Sequence, residues 1–345
     1  MRSPNIVPDF TGLRVVVVGD LIADRYLYAR PTRVSREAPV LVLRYEREAI
    51  GSGGAANVAR NLWALGARTL LVGAVGRDAE GRELLRQLDA DGIDTRGVAA
   101  VPSWTTPTKT RILGAERGRT VHQILRIDRE PEQALDPGVR RELCGAVRDL
   151  AGSVDAVLVS DYGYDLVGGE VAAAVRAVQA AGAKVVVDPR RTLDPFRGVD
   201  AITPNLSELA YMAGVVDEPR TFEEIALAAR AVLDRLAPEH LLVTLANRGM
   251  ALFTRELADG VRVAASGPGE VVDVSGAGDT AAAAFTLALA AGLPGPEAMR
   301  LANAAAGVVV LETGAAVCPL SKLRSALPQA PWPEDSLERR RAARG

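Results

Sequence analysis

Leu13–Gly19 reads LRVVVVG, four consecutive valines closed by a glycine. A β-branched run that does not alternate with polar residues fits a strand buried on both faces, the kind found in parallel sheets. Outward from it, Ala55–Leu65 places Ala56, Ala59, Leu62 and Trp63 at helical spacing, and Gly66 is set to end that helix. Thr69–Val75 reads as the next strand and Glu80–Asp91 as the next helix. The alternation resumes with strand Ala156–Ser160, a helix near Gly169–Ala181, and strands Lys184–Asp188 and Asp200–Thr203. A helix near Phe222–Leu236, strand His240–Thr244 and two Ala-rich helices, about Gly278–Ala291 and Pro296–Leu311, complete it. Strands and helices alternating at this length predict an α/β fold, with a mostly parallel sheet covered on both faces. Two stretches break the rule. Tyr26–Glu48 and Thr106–Ile127 lack helical period and carry β-formers such as Tyr26, Val40, Val42, Ile112 and Ile124. They read either as surface hairpins or as a small sheet forming a lid over a ligand site. Pro328–Gly345, Pro-rich and then Arg/Glu-rich, reads as a flexible tail.

The 345 residues carry 41 Lys+Arg against 43 Asp+Glu, and only Lys109, Lys184 and Lys322 are lysines. A net charge of -2 gives the whole surface no electrostatic reason to bind nucleic acid or an anionic membrane. Cys144 and Cys318 stand far apart with no C-x-x-C, which argues against a disulfide framework or a zinc site. MRSPNIVPDF lacks a charged-then-apolar signal, and no window reaches about 18 uninterrupted apolar residues. The expectation is a cytoplasmic protein. The lysines also exclude a Walker A loop, which needs a glycine directly before its lysine; here Thr108, Ala183 and Ser321 hold that place.

Asp273–Thr280, DVSGAGDT, opens the first Ala-rich helix. A Gly-Ala-Gly turn at a helix start aims backbone N–H groups at one spot, where the helix dipole also favours an anion. Asp279 then lies beside that hole, where a carboxylate is unfavourable unless it acts there, for instance by deprotonating a hydroxyl that attacks a phosphoryl group. An ordinary capped helix, with Ser275 as N-cap, is the plainer alternative. Gly51–Asn57, GSGGAAN, also opens a helix. It formally matches the dinucleotide fingerprint, but the fingerprint belongs after the first strand, where this chain has DLIADRY. Gly53 and Gly54 can instead admit a hydroxyl-rich ligand close to the backbone, with Asn57 as donor and acceptor, or serve tight helix–strand packing. Asp20 and Asp24 follow the first strand, where a carboxylate can hold two sugar hydroxyls or cap a turn. Asn205 and Glu208 stand three apart at a helix start, as water-shell ligands of Mg²⁺, as a capping box, or as both.

GSGGAANVARN, TPNLSE and DVSGAGDT, in that order, resemble the ribokinase-like (PfkB-type) sugar kinases from about Leu13 to Leu327. VVGDLIADRYLYARPTRVSREAPVLVL, TPTKTRIL, LRIDRE and SDYG are similar to the kinase domain of bacterial D-glycero-D-manno-heptose 7-phosphate kinases. The resemblance implies a three-layer sandwich with a mostly parallel central sheet and a small β lid. It implies one kinase domain over residues 10–327, with lid segments near 26–48 and 106–127. The implied reaction moves the ATP γ-phosphoryl group to O1 of heptose 7-phosphate, giving the 1,7-bisphosphate for nucleotide-activated heptose synthesis. Many such domains are fused to a nucleotidyltransferase; the length of this chain leads one to expect a stand-alone kinase.

Carried over residue by residue, Asp279 becomes the catalytic base and the backbone of Gly276, Ala277 and Gly278 the hole for the transferring group. Asn205 and Glu208 would organise Mg²⁺ and the ATP phosphates, with Ser207 among the nucleotide-binding residues. Thr244 and Gly249 match the strand and turn beside the nucleotide, and Asn303 a position lining the adenine pocket. Asp20, Gly53, Gly54 and Asn57 would hold sugar hydroxyls. Lys109, Arg111 and Arg126, on the lid, would meet the sugar's own phosphate, a task suited to arginine's planar fork. Asp273 matches a position near a monovalent-cation site, and lid strands in this family often pair between subunits, which implies a homodimer. The chain departs from the heptose kinases at two lysine positions, now Tyr164 and Arg190. Arg190, counted among the nucleotide-binding residues, can keep a phosphate contact; Tyr164 cannot keep a charge.

Overall fold

The structure is a computed structural model, which describes residues 6–114, 122–190, 194–267 and 271–335. Its main sheet has ten strands. From one edge, Asp94–Val101, Arg68–Gly76, Arg14–Gly19, Ala156–Ser160, Lys184–Asp188, Ala201–Ile202 and His240–Thr244 run parallel. Met250–Phe253, Val261–Val263 and Glu334–Asp335 extend it antiparallel. The valine run explains the layers. Successive side chains of a strand point to opposite faces. Val15 and Val17 join one core with helices Ala55–Ala64, Ala277–Ala290 and Gly295–Val309. Val16 and Val18 join the other, with helices Pro137–Arg148, Gly169–Ala180 and Phe222–Leu236. All four valines are at most 1% exposed, so this strand sits in the middle of a three-layer sandwich.

The two interruptions come together as a second sheet. Its order is Leu41–Gly54, Leu21–Val34, Thr108–Gly114 and His122–Arg129. The middle pair is parallel and the outer pairs antiparallel. Leu21–Val34 starts two residues after the central strand, and Leu41–Gly54 ends directly at the Ala55–Ala64 helix. The lid is therefore rooted at the carboxyl end of the main sheet, earlier in sequence than Tyr26. Residues 115–121 of the expected second lid segment lie outside the described residues.

Two expected boundaries shift. The strand expected over Asp200–Thr203 shortens to Ala201–Ile202. The first residues of the expected tail pack against the fold: Arg300, itself buried, donates to the carbonyls of Leu327 (2.6 Å) and Ala330 (3.0 Å), and its guanidinium lies 4.0 Å from the Trp332 ring centroid. Residues 334–335 then pair with the sheet edge, and 336–345 lie outside the described residues. Among the described residues no helix is long and apolar enough to cross a membrane.

Candidate active site

The site forms where the parallel strands end, because each strand there hands over to a loop or helix start that leaves backbone N–H groups unpaired. Gly276, with φ +78°, turns the chain into the Ala277–Ala290 helix. A Cβ there would stand 2.6 Å from Asn57 Nδ2, so both conformation and space require glycine. The turn delivers Asp279 into the interior. Asn57 Nδ2 donates to its Oδ2 (2.7 Å) and the Tyr162 hydroxyl to its Oδ1 (2.8 Å). Burial pushes the Asp279 carboxyl up to about 6, against the pull of those two donors. Asn57 is itself held, since Asn61 Nδ2 donates to its backbone carbonyl (3.0 Å) and Asn61 Oδ1 accepts from Thr280 Oγ1 (3.0 Å).

The three-residue hole is narrower than expected. The Ala277 N–H donates to the Val274 carbonyl (3.2 Å) and is turned away. The Gly278 N–H has no partner among the described residues, and the space where its Cβ would stand is open.

Asp20, expected to hold sugar hydroxyls, has one carboxylate oxygen committed to the main chain. It is 4% exposed, and its Oδ2 accepts from the backbone N–H groups of Tyr162 (2.9 Å) and Tyr164 (3.1 Å). It anchors the loop after Ala156–Ser160. Burial pushes its carboxyl up to about 6, although these N–H groups favour the ionised form. Gly53 and Gly54 likewise meet protein. A Cβ on Gly53 would come 2.6 Å from Asp24 Oδ2, and one on Gly54 2.5 Å from the Asp20 carbonyl. Asn57 reaches Asp279, as described.

Asn205 and Glu208 form the capping box: Glu208 N–H donates to Asn205 Oδ1 and Asn205 N–H to Glu208 Oε2, each at 2.9 Å. That leaves Glu208 Oε1 facing Arg190 at 3.8 Å. Nearby, the Asp188 carboxyl is driven well above the usual range by burial and by the charges of Glu208 and Asp279. Glu208 is raised too, first by burial. Among the described residues no group of three or more carboxylates is arranged to hold a metal ion directly; with its oxygens committed to the capping box and to Arg190, Glu208 suits contact with a cation through water.

Two cavities are lined by neighbours of Asp279, Gly278 in one and Tyr162 in the other. One, of about 540 Å³, gathers Asn205, Ser207, Thr244, Gly249, Asn303, Ala277 and Gly278 around an apolar wall that includes Val274 and Val310. The other, of about 410 Å³, gathers Lys109, Arg126 and Arg190 with Tyr162 and Tyr164. The charged residues thus sort differently from expectation. Arg190, assigned to the nucleotide, stands on the lid side. Arg111, assigned to the sugar phosphate, is only 14% exposed at its side chain and is paired with buried Asp24. Arg126 is paired with Asp128 at 2.9 Å, and Lys109 Nζ lies 4.9 Å from the Tyr162 ring centroid. Asp273 accepts from the N–H groups of Ser275 and Gly314, both at 2.9 Å. Burial resists its ionisation, but those bonds outweigh burial and hold its carboxyl below the usual range. Tyr162 and Asp188 were not singled out from the sequence. Both lie in strand-end motifs, SDYG and DPR, where sequence shows position but not which way a side chain points.

A buried carboxylate beside a helix start, between an apolar cleft and a charged one, on a three-layer α/β sandwich with a β lid, defines a ribokinase-like sugar kinase. The chain belongs to the pfkB family of carbohydrate kinases, whose pattern matches residues 13–323, and so to the phosphotransferases that act on sugar hydroxyls. It is 39% identical over 321 residues to "Bifunctional protein HldE" of Gluconacetobacter diazotrophicus, covering 92% of this chain and 64% of that one. It is 41% identical over 325 residues to the protein of the same name in Magnetococcus marinus, covering 91% and 63%. The chain therefore spans less than two thirds of the length of these relatives. In fold it matches phosphofructokinase-2 from Escherichia coli in complex with potassium, at TM-score 0.75 and 19% identity, over 92% of this chain and 99% of that one. It also matches Arabidopsis thaliana ribokinase complexed with ribose and ATP, at TM-score 0.65 and 24% identity, over 92% and 98%.

Proposed function

We propose that this chain transfers the γ-phosphoryl group of ATP to O1 of D-glycero-D-manno-heptose 7-phosphate, with Asp279 as the base. One observation carries the reading: Asp279 follows Gly278, which lines the apolar cavity, and accepts a hydrogen bond from Tyr162, which lines the charged one. The nucleotide would lie against Thr244, Gly249 and Asn303, with its phosphates running toward Gly278. The sugar would lie under the lid, its phosphate toward Lys109 and Arg126, with Arg190 between the two. Asp279 takes the proton of the attacking hydroxyl, while the Gly278 amide and the helix dipole stabilise charge on the transferring group. Mg²⁺, held through water by Asn205 and Glu208 near Asp188, would supply further neutralisation of the phosphates.

The heptose assignment is supported by the motifs that resemble heptose 7-phosphate kinases. A different phosphosugar, sugar or nucleoside is the alternative that the replaced lysines, Tyr164 and Arg190, favour. A panel of phosphorylated and plain sugars scored for ADP release separates them, and faster turnover of any panel member than of heptose 7-phosphate would sink the assignment. Two further parts belong to the reading. A monovalent cation near Asp273 is supported by that carboxylate being held ionised, and equal rates in potassium and in tetramethylammonium buffers would remove it. A homodimer through the lid is supported by exposed Leu125 and Ile127, each 53% exposed, on an outer lid strand. Light scattering that reads one chain per particle would exclude it. An ATP-consuming kinase fits the cytoplasmic placement expected from the sequence.

A further inference from the structure

We infer that Tyr162 is a positioning residue for the base: its hydroxyl fixes the orientation of the Asp279 carboxylate and keeps it ready to accept a proton. The inference rests on the reading of Asp279 as the base. The phenol donates to Oδ1 at 2.8 Å while Asn57 holds Oδ2 at 2.7 Å, so the carboxylate is gripped at both oxygens from two distant parts of the chain. Tyr162 owes its place to Asp20, which accepts its backbone N–H and that of Tyr164. The loop is thus anchored through its main chain, and the ring is free to serve Asp279. Burial first, and the neighbouring Asp279 charge next, push the phenol well above its usual 10, so it remains a donor throughout the working range.

Other charges also face Asp279. Asp24 and Lys109 do so from the lid, with Asp24 resisting ionisation and Lys109 favouring it, and Asp188 does so from the end of its strand. None of these is recorded as hydrogen-bonded to the carboxylate among the described residues; Asn57 and Tyr162 are. A hydrogen bond to the charged form lowers a carboxyl's proton affinity, and to a charged acceptor it is among the stronger kind.

The test reads the grip without substrate. Side-chain ¹³C NMR follows the titration of Asp279, and its signal is identified by its loss in Asp279→Asn. Tyr162→Phe should move the midpoint up by about one pH unit. 3-Fluorotyrosine incorporated at position 162, a more acidic donor, should move it down. The acid limb of kcat with ATP and heptose 7-phosphate should follow in the same directions, with KM for ATP unchanged. A Tyr162→Phe midpoint that coincides with wild type overturns the inference, whatever happens to kcat. An Asp279→Asn enzyme that still turns over overturns the base instead, a separate failure because the titration needs no turnover.

Discussion

The two cavities lined by neighbours of Asp279 treat charge in opposite ways. The larger one has no lysine or arginine among its described lining residues; Glu218 is its one charged member, beside neutral side chains, apolar walls and the start of a helix. The smaller one is crowded with charge: Lys109, Arg126 and Arg190 share it with Asp128, Glu130, Glu132 and Asp165. Under the proposed function, phosphate on the first side would be met by the Gly278 N–H and a helix dipole, which a side-chain substitution does not remove. On the second it would be met by side chains, Lys109 and Arg126 on lid strands among them, which single substitutions can retune. Constancy then falls to the proposed nucleotide half and selectivity to the proposed sugar half, which accounts for a kinase with three lysines and no Walker loop.

The largest effect should come where the halves meet. Asp279→Asn is expected to lower kcat by ~10²–10⁴, the range of a general base, with smaller changes in either KM. Near-full turnover would remove the base from the scheme. The same variant tests what burial costs. The native carboxyl is raised to about 6 against an ordinary 3.8, so its ionised form is disfavoured by folding. The stability tied to this group is fully present below about pH 4 and is lost as pH rises through about 6. Relative to wild type, Asp279→Asn should therefore gain about 2–3 kcal/mol between pH 4 and pH 8. Denaturation curves at the two pH values check this, and an equal difference at both would show that burial does not set the shift.

A smaller effect should divide the lid cations. Arg111 and Asp24 are a buried pair, with side chains 14% and 7% exposed. Arg111→Ala would strand Asp24, at a cost of about 3 kcal/mol, and should depress activity on phosphorylated and plain sugars alike. Lys109→Ala leaves no such orphan. It should raise KM about tenfold for a phosphorylated sugar and leave its dephosphorylated analogue unchanged. Steady-state kinetics on that pair of sugars decides it. If Arg111→Ala proves the selective variant, the division of the lid drawn from the structure is wrong.

The sequence was most legible where a pattern has one physical cause. The valine run could only be a two-sided strand, and Phe222–Leu236 and His240–Thr244 fall where periodicity puts them. On the apolar-cavity side the pattern placed Asn205 at a helix start and Thr244 at a strand end, while Gly249, in a turn, and Asn303, in the middle of the Gly295–Val309 helix, came only from the resemblance. The charged side was less legible. Arg111 and Lys109 are two apart on one strand and share a face, yet one meets Asp24 and the other the Tyr162 ring. Nothing in their spacing separates them. Asp20 follows the same logic: its position was visible, but its backbone partners at Tyr162 and Tyr164 lie 142 and 144 residues away. Helix Pro137–Arg148 went unanticipated although Asp136 caps it at Gly138 and Val139, because its short amphipathic face follows a charged stretch.

The smallest expected effect probes the constant half. Asn303 is 3% exposed and donates from Nδ2 to the Ala264 carbonyl at 2.9 Å, joining the Gly295–Val309 helix to the loop beside the apolar cavity. Asn303→Ala removes one neutral hydrogen bond, about 1 kcal/mol, and loosens that wall without touching a charge. KM for ATP should rise by about fivefold, with the sugar KM and the acid limb of kcat unmoved. The separation of effects matters more than their size. A parallel rise in the sugar KM would mean that the two cavities communicate through more than Asp279.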